Sequence, residues 1–197
     1  SCIVFRRKVS IKMIRISSGE FKGAKLLVPD GQMVRPTSSR TRAAIFNTLQ
    51  HWFDVQSFLI WDAYAGSGSL GLEAFSRGAR PVVFTENSPT NFKILIKNLE
   101  KCALSRKCAH QMNAIQWLNS LNEPVKMISF LDPPYKSDEL CKIIPKLALS
   151  KIILTGSLAI AEADSKIMLN WPSQFEVFFS RNYGRSKIEI AEKLEMA

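Results

Sequence analysis

Short apolar runs and segments with helical spacing alternate along the chain from about residue 53 onward. Each run has the length of a buried strand, and the segment after it repeats apolar residues three and four positions apart, as on one face of a helix. This alternation predicts an α/β fold with a mostly parallel, doubly wound sheet. The predicted strands are Phe58–Tyr64, Pro81–Thr85, Lys107–Met112, Val125–Leu131 and Ser157–Ala163, and the predicted helices are Leu70–Ser76, Pro89–Cys102, Ala114–Leu121 and Ser137–Leu147.

The C-terminal end closes this pattern with two strands in succession. Phe175–Arg181 and Ser186–Ala191 flank a short turn and are predicted to pair as an antiparallel hairpin. The pattern as a whole divides the chain into three parts. We expect residues 1–12 to be a disordered extension or a tag, 13–52 to be a small basic N-terminal unit, and 53–197 to be the core of the fold.

The N-terminal unit is predicted to hold a hairpin and a helix. Met13–Ile16 and Ala24–Val28 have the apolar character of two short strands, joined by a polar connection. A helix is expected from Ser38 or Ser39, either of which can cap it, to about Trp52. Its apolar face is predicted to consist of Ala43, Ile45, Phe46 and Leu49.

Composition and charge add a candidate partner. The chain has 197 residues with 46% hydrophobic residues, which suits one well-packed domain. Its net charge is +10, and residues 1–42 contain ten Lys and Arg against two acidic residues, so that the remaining chain is close to neutral. A basic segment on a near-neutral body is typical of polyanion binding, although a solvated basic tail has the same composition.

Several classes of protein fit this sequence poorly. The longest uncharged apolar run, Ile152–Ala161, is too short to span a bilayer, and the N-terminus lacks the pattern of a secretory signal. The four cysteines form no C-x-x-C pair, and neither histidine stands at metal-ligand spacing from them. We therefore expect a cytoplasmic protein with reduced thiols, no bound metal and no membrane contact. We also expect a monomer, although no pattern in the sequence determines the oligomeric state.

A glycine-rich turn after the first core strand is the first candidate for a binding site. The spacing Gly66-x-Gly68-x-x-Gly71 lets a cofactor approach the backbone of residues Ala65 to Gly68, Ser67 included. Glu86 ends the next strand, where a carboxylate can accept both ribose hydroxyls of an adenosyl group, with Asn87 beside it. This pattern alone fits a nicotinamide cofactor as well as S-adenosylmethionine.

Two further polar residues bear on the choice of cofactor. Asp62 precedes the glycine turn, where a carboxylate suits a cofactor with a positively charged amino acid tail and suits a diphosphate poorly. The same side chain can instead brace the turn. Asn113 and Ala114 follow the third strand, where the Asn113 amide can bond an adenine edge or cap the next helix.

The sequence Asp132-Pro133-Pro134-Tyr135 ends the fourth core strand and is the candidate for chemistry. Asp132 can accept one N–H of an aromatic amine, and a carbonyl of the Pro133-Pro134 turn can accept the other. These two bonds direct the amine lone pair towards a methyl donor. Asp132 is also a candidate contact for the cofactor. Tyr135 can stack on the base that carries the amine. The motif therefore predicts methylation of an exocyclic amine on a nucleic-acid base.

Three segments together resemble one family. They are residues 35–47 (RPTSSRTRAAIFN), residues 62–74 (DAYAGSGSLGLEA) and residues 132–135 (DPPY), and the start of the chain from Met13 is also similar. This combination resembles the bacterial 16S rRNA guanine-N2 methyltransferases of the RsmD type. The resemblance implies a class I methyltransferase with a Rossmann-like sandwich, a mostly parallel seven-stranded sheet with an antiparallel C-terminal hairpin, and S-adenosyl-L-methionine as cofactor.

The resemblance also implies a substrate. It indicates methylation of the N2 amine of one guanine in 16S rRNA, on a partly assembled small ribosomal subunit, with the 35–47 segment packed over the cofactor cleft. Arg35, Thr37, Arg40 and Arg42 are the candidate RNA contacts, although a basic helix start on the surface would have the same sequence. The alternatives are a DNA adenine-N6 or protein glutamine methyltransferase, a nicotinamide-dependent oxidoreductase, and a non-catalytic RNA-binding assembly factor.

Overall fold

The fold is built around a central sheet. The computed structural model describes residues 13–28, 39–134 and 138–195, except for the side chains of Ser39 and Arg40. The described strands are β1 (Met13–Arg15), β2 (Lys25–Leu27), β3 (Leu59–Asp62), β4 (Val82–Thr85), β5 (Ala109–His110), β6 (Met127–Leu131), β7 (Leu158–Asp164), β8 (Phe175–Tyr183) and β9 (Ser186–Lys193). The described α-helices are α1 (Ser39–Trp52), α2 (Ser69–Ser76), α3 (Pro89–Lys101), α4 (Ala114–Ser120) and α5 (Glu139–Leu149).

Seven of these strands form one sheet in the order β5-β4-β3-β6-β7-β9-β8. Strands β3 to β7 are parallel, and β9 joins β7 in the antiparallel direction, as does β8 on β9. The predicted fold class is thereby confirmed, including the closing C-terminal hairpin. The chain enters the sheet at β3, proceeds outward to β5 and returns to β6, so the direction of winding reverses between β3 and β6.

The buried strands alternate their side chains between two apolar layers, as the period of a strand requires. In β3, Ile60 lies in the layer beneath α1, α2 and α3, whereas Trp61 lies in the layer of α4 and α5. In β6, Phe130 belongs to the first layer and Leu131 to the second. The sheet is therefore covered on both faces, which explains why its central strands are apolar throughout.

The N-terminal unit shares the first of these layers. Ile16 and Leu26 from the small hairpin, and Ile45, Phe46 and Leu49 from α1, lie in one cluster with the core of the sheet. The predicted helix is thus observed, and Ile45, Phe46 and Leu49 of its predicted apolar face are buried, whereas Ala43 is half-buried. The two parts of the chain on either side of residue 52 therefore share one apolar layer. The boundary at residue 52 separates them along the chain but not in the core.

The remaining differences are at the boundaries. The third core strand is only Ala109–His110, shorter than the predicted Lys107–Met112 because Arg106–Cys108 forms a short 3-10 turn. The described helix α5 begins at Glu139, and the predicted start at Ser137 lies outside the described residues. The predicted extension 1–12 lies outside them as well. In the part of the chain that the structure describes, no helix has the length and apolarity needed to cross a bilayer.

Candidate cofactor and substrate cleft

The reversal of winding places two sequence motifs side by side. Asp62 at the end of β3 is in register with Phe130 of β6, so Asp132 follows only two residues beyond the same level on the neighbouring strand. In open α/β sheets, the crevice for a ligand forms at such a reversal, outside the carboxyl ends of the strands. The glycine turn after β3 and the Asp132-Pro133-Pro134 segment after β6 therefore border one crevice.

The three glycines of the turn have different physical roles. Gly66 and Gly68 have φ values of 53° and 77°, a region that side chains rarely adopt. A Cβ on Gly68 would lie 2.6 Å from Leu95, and one on Gly71 would lie 2.3 Å from the Phe84 ring. A Cβ on Gly66 would meet nothing nearer than 3.9 Å. Gly68 and Gly71 thus permit close packing, whereas Gly66 leaves open space where a cofactor can approach.

Asp62 holds the glycine turn in place. Helix α2 begins after Gly68, which has no side chain to cap it, and Asp62 Oδ2 accepts the Gly71 N–H at 2.9 Å instead. Burial raises the pKa of Asp62 to about 7, with a smaller contribution from the charge of Glu86, while the Gly71 hydrogen bond acts in the opposite direction. The bracing role is therefore observed, and contact with a cofactor stays a prediction.

Glu86 connects the ends of β3 and β4. Its Oε2 accepts the Gly66 N–H at 2.8 Å and its Oε1 accepts the Ser88 N–H at 2.7 Å. The side chain is half-buried, so its remaining lone pairs stand at the border of the crevice. This position suits the predicted contact with ribose hydroxyls. Asn87, next to it, is exposed.

Asn113 caps helix α4, as one of the two interpretations expected. Its Oδ1 accepts the Ile115 N–H at 2.7 Å, and Gln116 Oε1 accepts the Asn113 N–H at 3.2 Å. The two bonds together make a capping box. Ala114 is buried at the first position of this helix. The backbone here follows β5 at the same edge of the sheet, and an adenine contact stays a prediction.

The Asp132-Pro133-Pro134 segment begins directly after β6. Asp132 is half-buried, Pro133 is buried and Pro134 is exposed, so the segment leaves the core at this point. The predicted stacking residue, Tyr135, lies outside the described residues.

Asn98 is a positioning residue that the sequence analysis missed. It lies on α3 and is fully buried, and its Nδ2 donates to the carbonyls of Leu27 at 2.9 Å and Ser67 at 2.8 Å. Its Oδ1 accepts the Leu27 N–H at 2.8 Å. One amide thus joins the glycine turn to strand β2 of the N-terminal hairpin. The available signal was a polar residue between the apolar positions Leu95 and Leu99 of α3.

The proposed RNA contact at Arg42 is corrected by its position. Only 1% of the residue is exposed, its Nε pairs with Glu73 at 3.3 Å, and one of its NH2 groups donates to the Arg15 carbonyl at 2.6 Å. A guanidinium in this position joins α1 to α2 inside the fold and cannot meet a phosphate. Arg35, Thr37 and the Arg40 side chain lie outside the described part of the structure.

Glu73 is the centre of this buried cluster. It accepts bonds from the Ser17 hydroxyl at 2.6 Å and from Arg77 Nε at 2.9 Å, in addition to Arg42. Burial alone would raise the pKa of Glu73, but these hydrogen bonds and the charge of Arg42 together lower it. The carboxylate is therefore held ionised, and it ties the N-terminal unit to the helix that carries the glycine turn.

The residues at the crevice suit one kind of cofactor. Three carboxylates, Asp62, Glu86 and Asp132, follow neighbouring strands at one edge, where they favour hydroxyl groups and a cationic tail and disfavour a diphosphate. The open side of Gly66 leaves room for such a molecule. Within the described ranges, no group of three His, Cys, Asp or Glu side chains could hold a metal ion.

The strand order, the reversal between β3 and β6 and the acidic glycine-turn crevice define a class I methyltransferase fold. The chain belongs to the family described as conserved hypothetical protein 95, whose model matches residues 14–192.

Named relatives agree with this placement. The chain is 30% identical to ribosomal RNA small subunit methyltransferase D of Haemophilus influenzae over 174 residues, 87% of this chain and 89% of that protein. The Escherichia coli protein of the same name is 38% identical over 124 residues, 62% of this chain and 61% of that protein. The solved structure of Escherichia coli yhhF has a TM-score of 0.79 at 28% identity and covers 94% of this chain and 100% of that chain. The family resemblance expected from the sequence motifs is thereby confirmed.

Proposed function

We propose that this protein transfers a methyl group from S-adenosylmethionine to the exocyclic N2 amine of a guanine in 16S ribosomal RNA. The observation that carries the proposal is the adjacency of Asp132 to the glycine turn across neighbouring strands β3 and β6. That adjacency would place an amine acceptor beside a cofactor. The names of the relatives support small-subunit ribosomal RNA as the substrate.

The cofactor contacts follow from the groups at the crevice. Bound S-adenosylmethionine would supply an electrophilic methyl group on a positively charged sulfur. Glu86 would accept the ribose hydroxyls and Asp62 would face the ammonium of the amino acid tail. The backbone of Ala65–Gly68 would border the cofactor at the open side of Gly66, with Asn87, Asn113 and Ala114 around the adenine.

The chain's own contribution to chemistry is to hold and polarise the amine. A base amine is a weak nucleophile because its lone pair is delocalised into the ring. Asp132 would accept one N–H and a carbonyl of the Pro133-Pro134 turn the other, which favours a pyramidal nitrogen and stabilises the positive charge that develops on it. Tyr135 would stack on the base, which has to leave its helix to reach the crevice.

The acidic first residue of the motif favours guanine. The Watson–Crick edge of guanine presents N1–H and N2–H donors side by side, and a carboxylate accepts both. Methyltransferases that act on adenine N6 or on glutamine tend to carry Asn-Pro-Pro-Tyr at this position. A nicotinamide-dependent oxidoreductase would leave Asp132 without a role, and a non-catalytic assembly factor would leave the whole crevice without one.

The substrate has consequences for the setting of the protein. A guanine that must be unstacked is reached most easily before the surrounding ribosomal RNA is fully packed, so a partly assembled small subunit is the proposed substrate. We propose that a monomer acts on it in the cytoplasm.

Substitution of Asp132 tests this role directly. Asp132→Ala should abolish transfer of labelled methyl groups to small subunits from cells that lack the protein, while the affinity for S-adenosylmethionine stays within a few-fold of the original. Asp138→Asn, which changes an exposed carboxylate six residues further on, is the matched control and should transfer normally. Normal turnover by Asp132→Ala would remove Asp132 from the mechanism.

A further inference from the structure

The C-terminal hairpin rises above the crevice on the side of the proposed substrate. Leu131, the last residue of β6, is in register with Ala161 of β7, and β7 continues to Asp164, which pairs with Ser186. Because β7 continues three residues beyond Ala161, the turn of the β8–β9 hairpin lies about 10 Å above the end of β6. The hairpin turn also lies two strand positions from β6, about 10 Å to the side.

Three exposed cations lie around this raised turn, with Arg181 lower than the other two, because it pairs with Ile188 and is thus level with Glu162 of β7. Arg181 and Arg185 flank the hairpin turn, and Lys166 follows β7, whose continuation is tied to the turn by a bond from Ser165 N–H to the Arg185 carbonyl at 2.8 Å. Among the described residues, none of these three cations has a carboxylate within 4.0 Å. Met168, in the same connection, is 83% exposed. We call Lys166, Met168, Arg181 and Arg185 the hairpin ledge.

Two neighbouring acidic groups, Glu189 and Asp164, have hydrogen-bond partners of their own. Glu189 accepts bonds from Trp171 Nε1 at 2.7 Å and from Ser180, and it forms an ion pair with Lys187 at 2.9 Å. The Asp164 carboxylate accepts the Lys166 N–H at 2.9 Å. Lys187 is thus neutralised, whereas the three cations of the hairpin ledge present positive charge to solvent.

We propose that the hairpin ledge is a second RNA-binding surface, which holds the RNA backbone a few nucleotides from the target base. The inference rests on the proposed function, because it takes the amine acceptor to lie at Asp132, roughly 15 Å away by strand spacing. Arginine and lysine without acidic partners bind phosphates, and the exposed thioether of Met168 gives an unstacked base an apolar contact. The substrate is then held from the side of β7–β9, opposite to the cofactor half of the sheet.

The experiment compares two triple variants with equal charge change. Lys166→Ala/Arg181→Ala/Arg185→Ala removes the cations of the hairpin ledge. The control, Arg106→Ala/Lys107→Ala/Lys151→Ala, removes three exposed cations that precede β5 and β7, at the opposite edge of the sheet. The affinity of each protein for a 16S ribosomal RNA transcript is measured against salt concentration, together with methyl transfer to small subunits.

The hairpin-ledge variant should reduce the slope of log affinity against log salt by about 2, because each lost phosphate contact removes 0.7 to 0.9. Its KM for the RNA should rise several-fold, with an unchanged single-turnover rate at saturating RNA, and the control variant should match the original protein. An unchanged slope and KM would overturn the inference, as would a raised KM for subunits with an unchanged slope on naked RNA, which would indicate a ribosomal protein as the partner. Failure of the original protein to methylate ribosomal RNA would instead contradict the proposed function.

Discussion

At the scale of single residues, the Asp62 carboxylate braces the glycine turn and is the proposed contact for the charged tail of the cofactor. It is 2% exposed, and its Oδ2 is needed to accept the Gly71 N–H at the start of α2. A neutral amide could accept that bond equally well. The hydrogen bond to Gly71 therefore does not explain why this residue is charged. The positive tail of the proposed cofactor would explain it.

Asp62→Asn should stabilise the protein without cofactor, and more so at high pH. The pKa of Asp62 is raised from 3.8 to about 7 in the folded protein, so the unfolded chain loses this proton first as the pH rises. Ionisation therefore destabilises the fold progressively between these values and by a constant amount above them, on the order of a few kcal/mol. Urea unfolding at pH 5 and pH 8 measures the difference.

The exposed substitution Glu123→Gln is the control for that comparison and should show no such dependence. A gain in stability for Asp62→Asn that is the same at both pH values would contradict the assigned cause. The same variant should bind S-adenosylmethionine more weakly; unchanged affinity would leave Asp62 with the bracing role alone.

Two glycines of the N-terminal hairpin give a matched pair. Gly19 and Gly23 have φ values of 84° and 86°, but a Cβ on Gly19 would lie 1.8 Å from the Ser76 carbonyl oxygen, whereas one on Gly23 would meet nothing within 4 Å. Gly23→Ala should cost about 1–2 kcal/mol from backbone strain alone. Gly19→Ala should cost a further 1–3 kcal/mol because the hairpin must move away from α2. Equal losses in the free energy of unfolding would show that this hairpin is not docked on α2 in solution.

The sequence predicted the roles of residues at strand ends better than it predicted contacts between residues far apart in the chain. Gly66, Glu86 and the Asn113 cap follow from residue type and from position at a strand end. Arg42 was assigned to RNA because of its charge, although its spacing from Ile45, Phe46 and Leu49 places it on the buried face of α1. The long-range partner, Glu73, cannot be identified from periodicity, because nothing local distinguishes it from a solvent-exposed acid.

At the scale of elements, the cluster around Glu73 joins three of them. Arg42 comes from α1, Ser17 from the connection after β1, and Arg77 from the end of α2. One NH group of Arg42, at Nη1, has no hydrogen-bond partner among the described residues. The set contains two cations, Arg42 and Arg77, against one carboxylate, so loss of Glu73 would leave positive charge in the fold without a counter-charge.

Removing Glu73 alone should be worse than removing Glu73 and Arg42 together. Glu73→Gln leaves the Arg42 guanidinium buried without a counter-charge and should lower the free energy of unfolding by about 3–5 kcal/mol. The double variant Glu73→Gln/Arg42→Met should recover part of that loss, because the unpaired cation is also gone. A double-mutant cycle by urea unfolding measures the coupling, and additive losses would contradict the pairing.

The element boundaries show where periodicity is sufficient. Strands β3, β4, β6 and β7 were predicted because both of their faces are buried and their sequences are apolar. Strand β5 was predicted too long because it lies at the edge of the sheet, where polar residues are tolerated and the pattern is weak. The order of the strands was not readable from the pattern, since it depends on pairing between distant segments.

At the scale of the whole molecule, the crevice divides into two halves at the reversal between β3 and β6. The carboxyl ends of β3, β4 and β5 present the glycine turn, Glu86 and Asn113, the proposed cofactor side. The ends of β6 and β7 and the β8–β9 hairpin present Asp132 and the hairpin ledge, the proposed RNA side. In the proposed function, the sheet would thereby separate binding of the methyl donor from binding of the acceptor while bringing their reactive groups to adjacent strands.

Nucleoside mass spectrometry of 16S ribosomal RNA tests the central claim most directly. Small subunits from cells that lack the protein are incubated with S-adenosylmethionine and either the original protein or Asp132→Ala, and the RNA is digested to nucleosides. We expect a gain of N2-methylguanosine with the original protein and no gain with the variant. A gain of N6-methyladenosine, or no new methylated nucleoside with either protein, would contradict it.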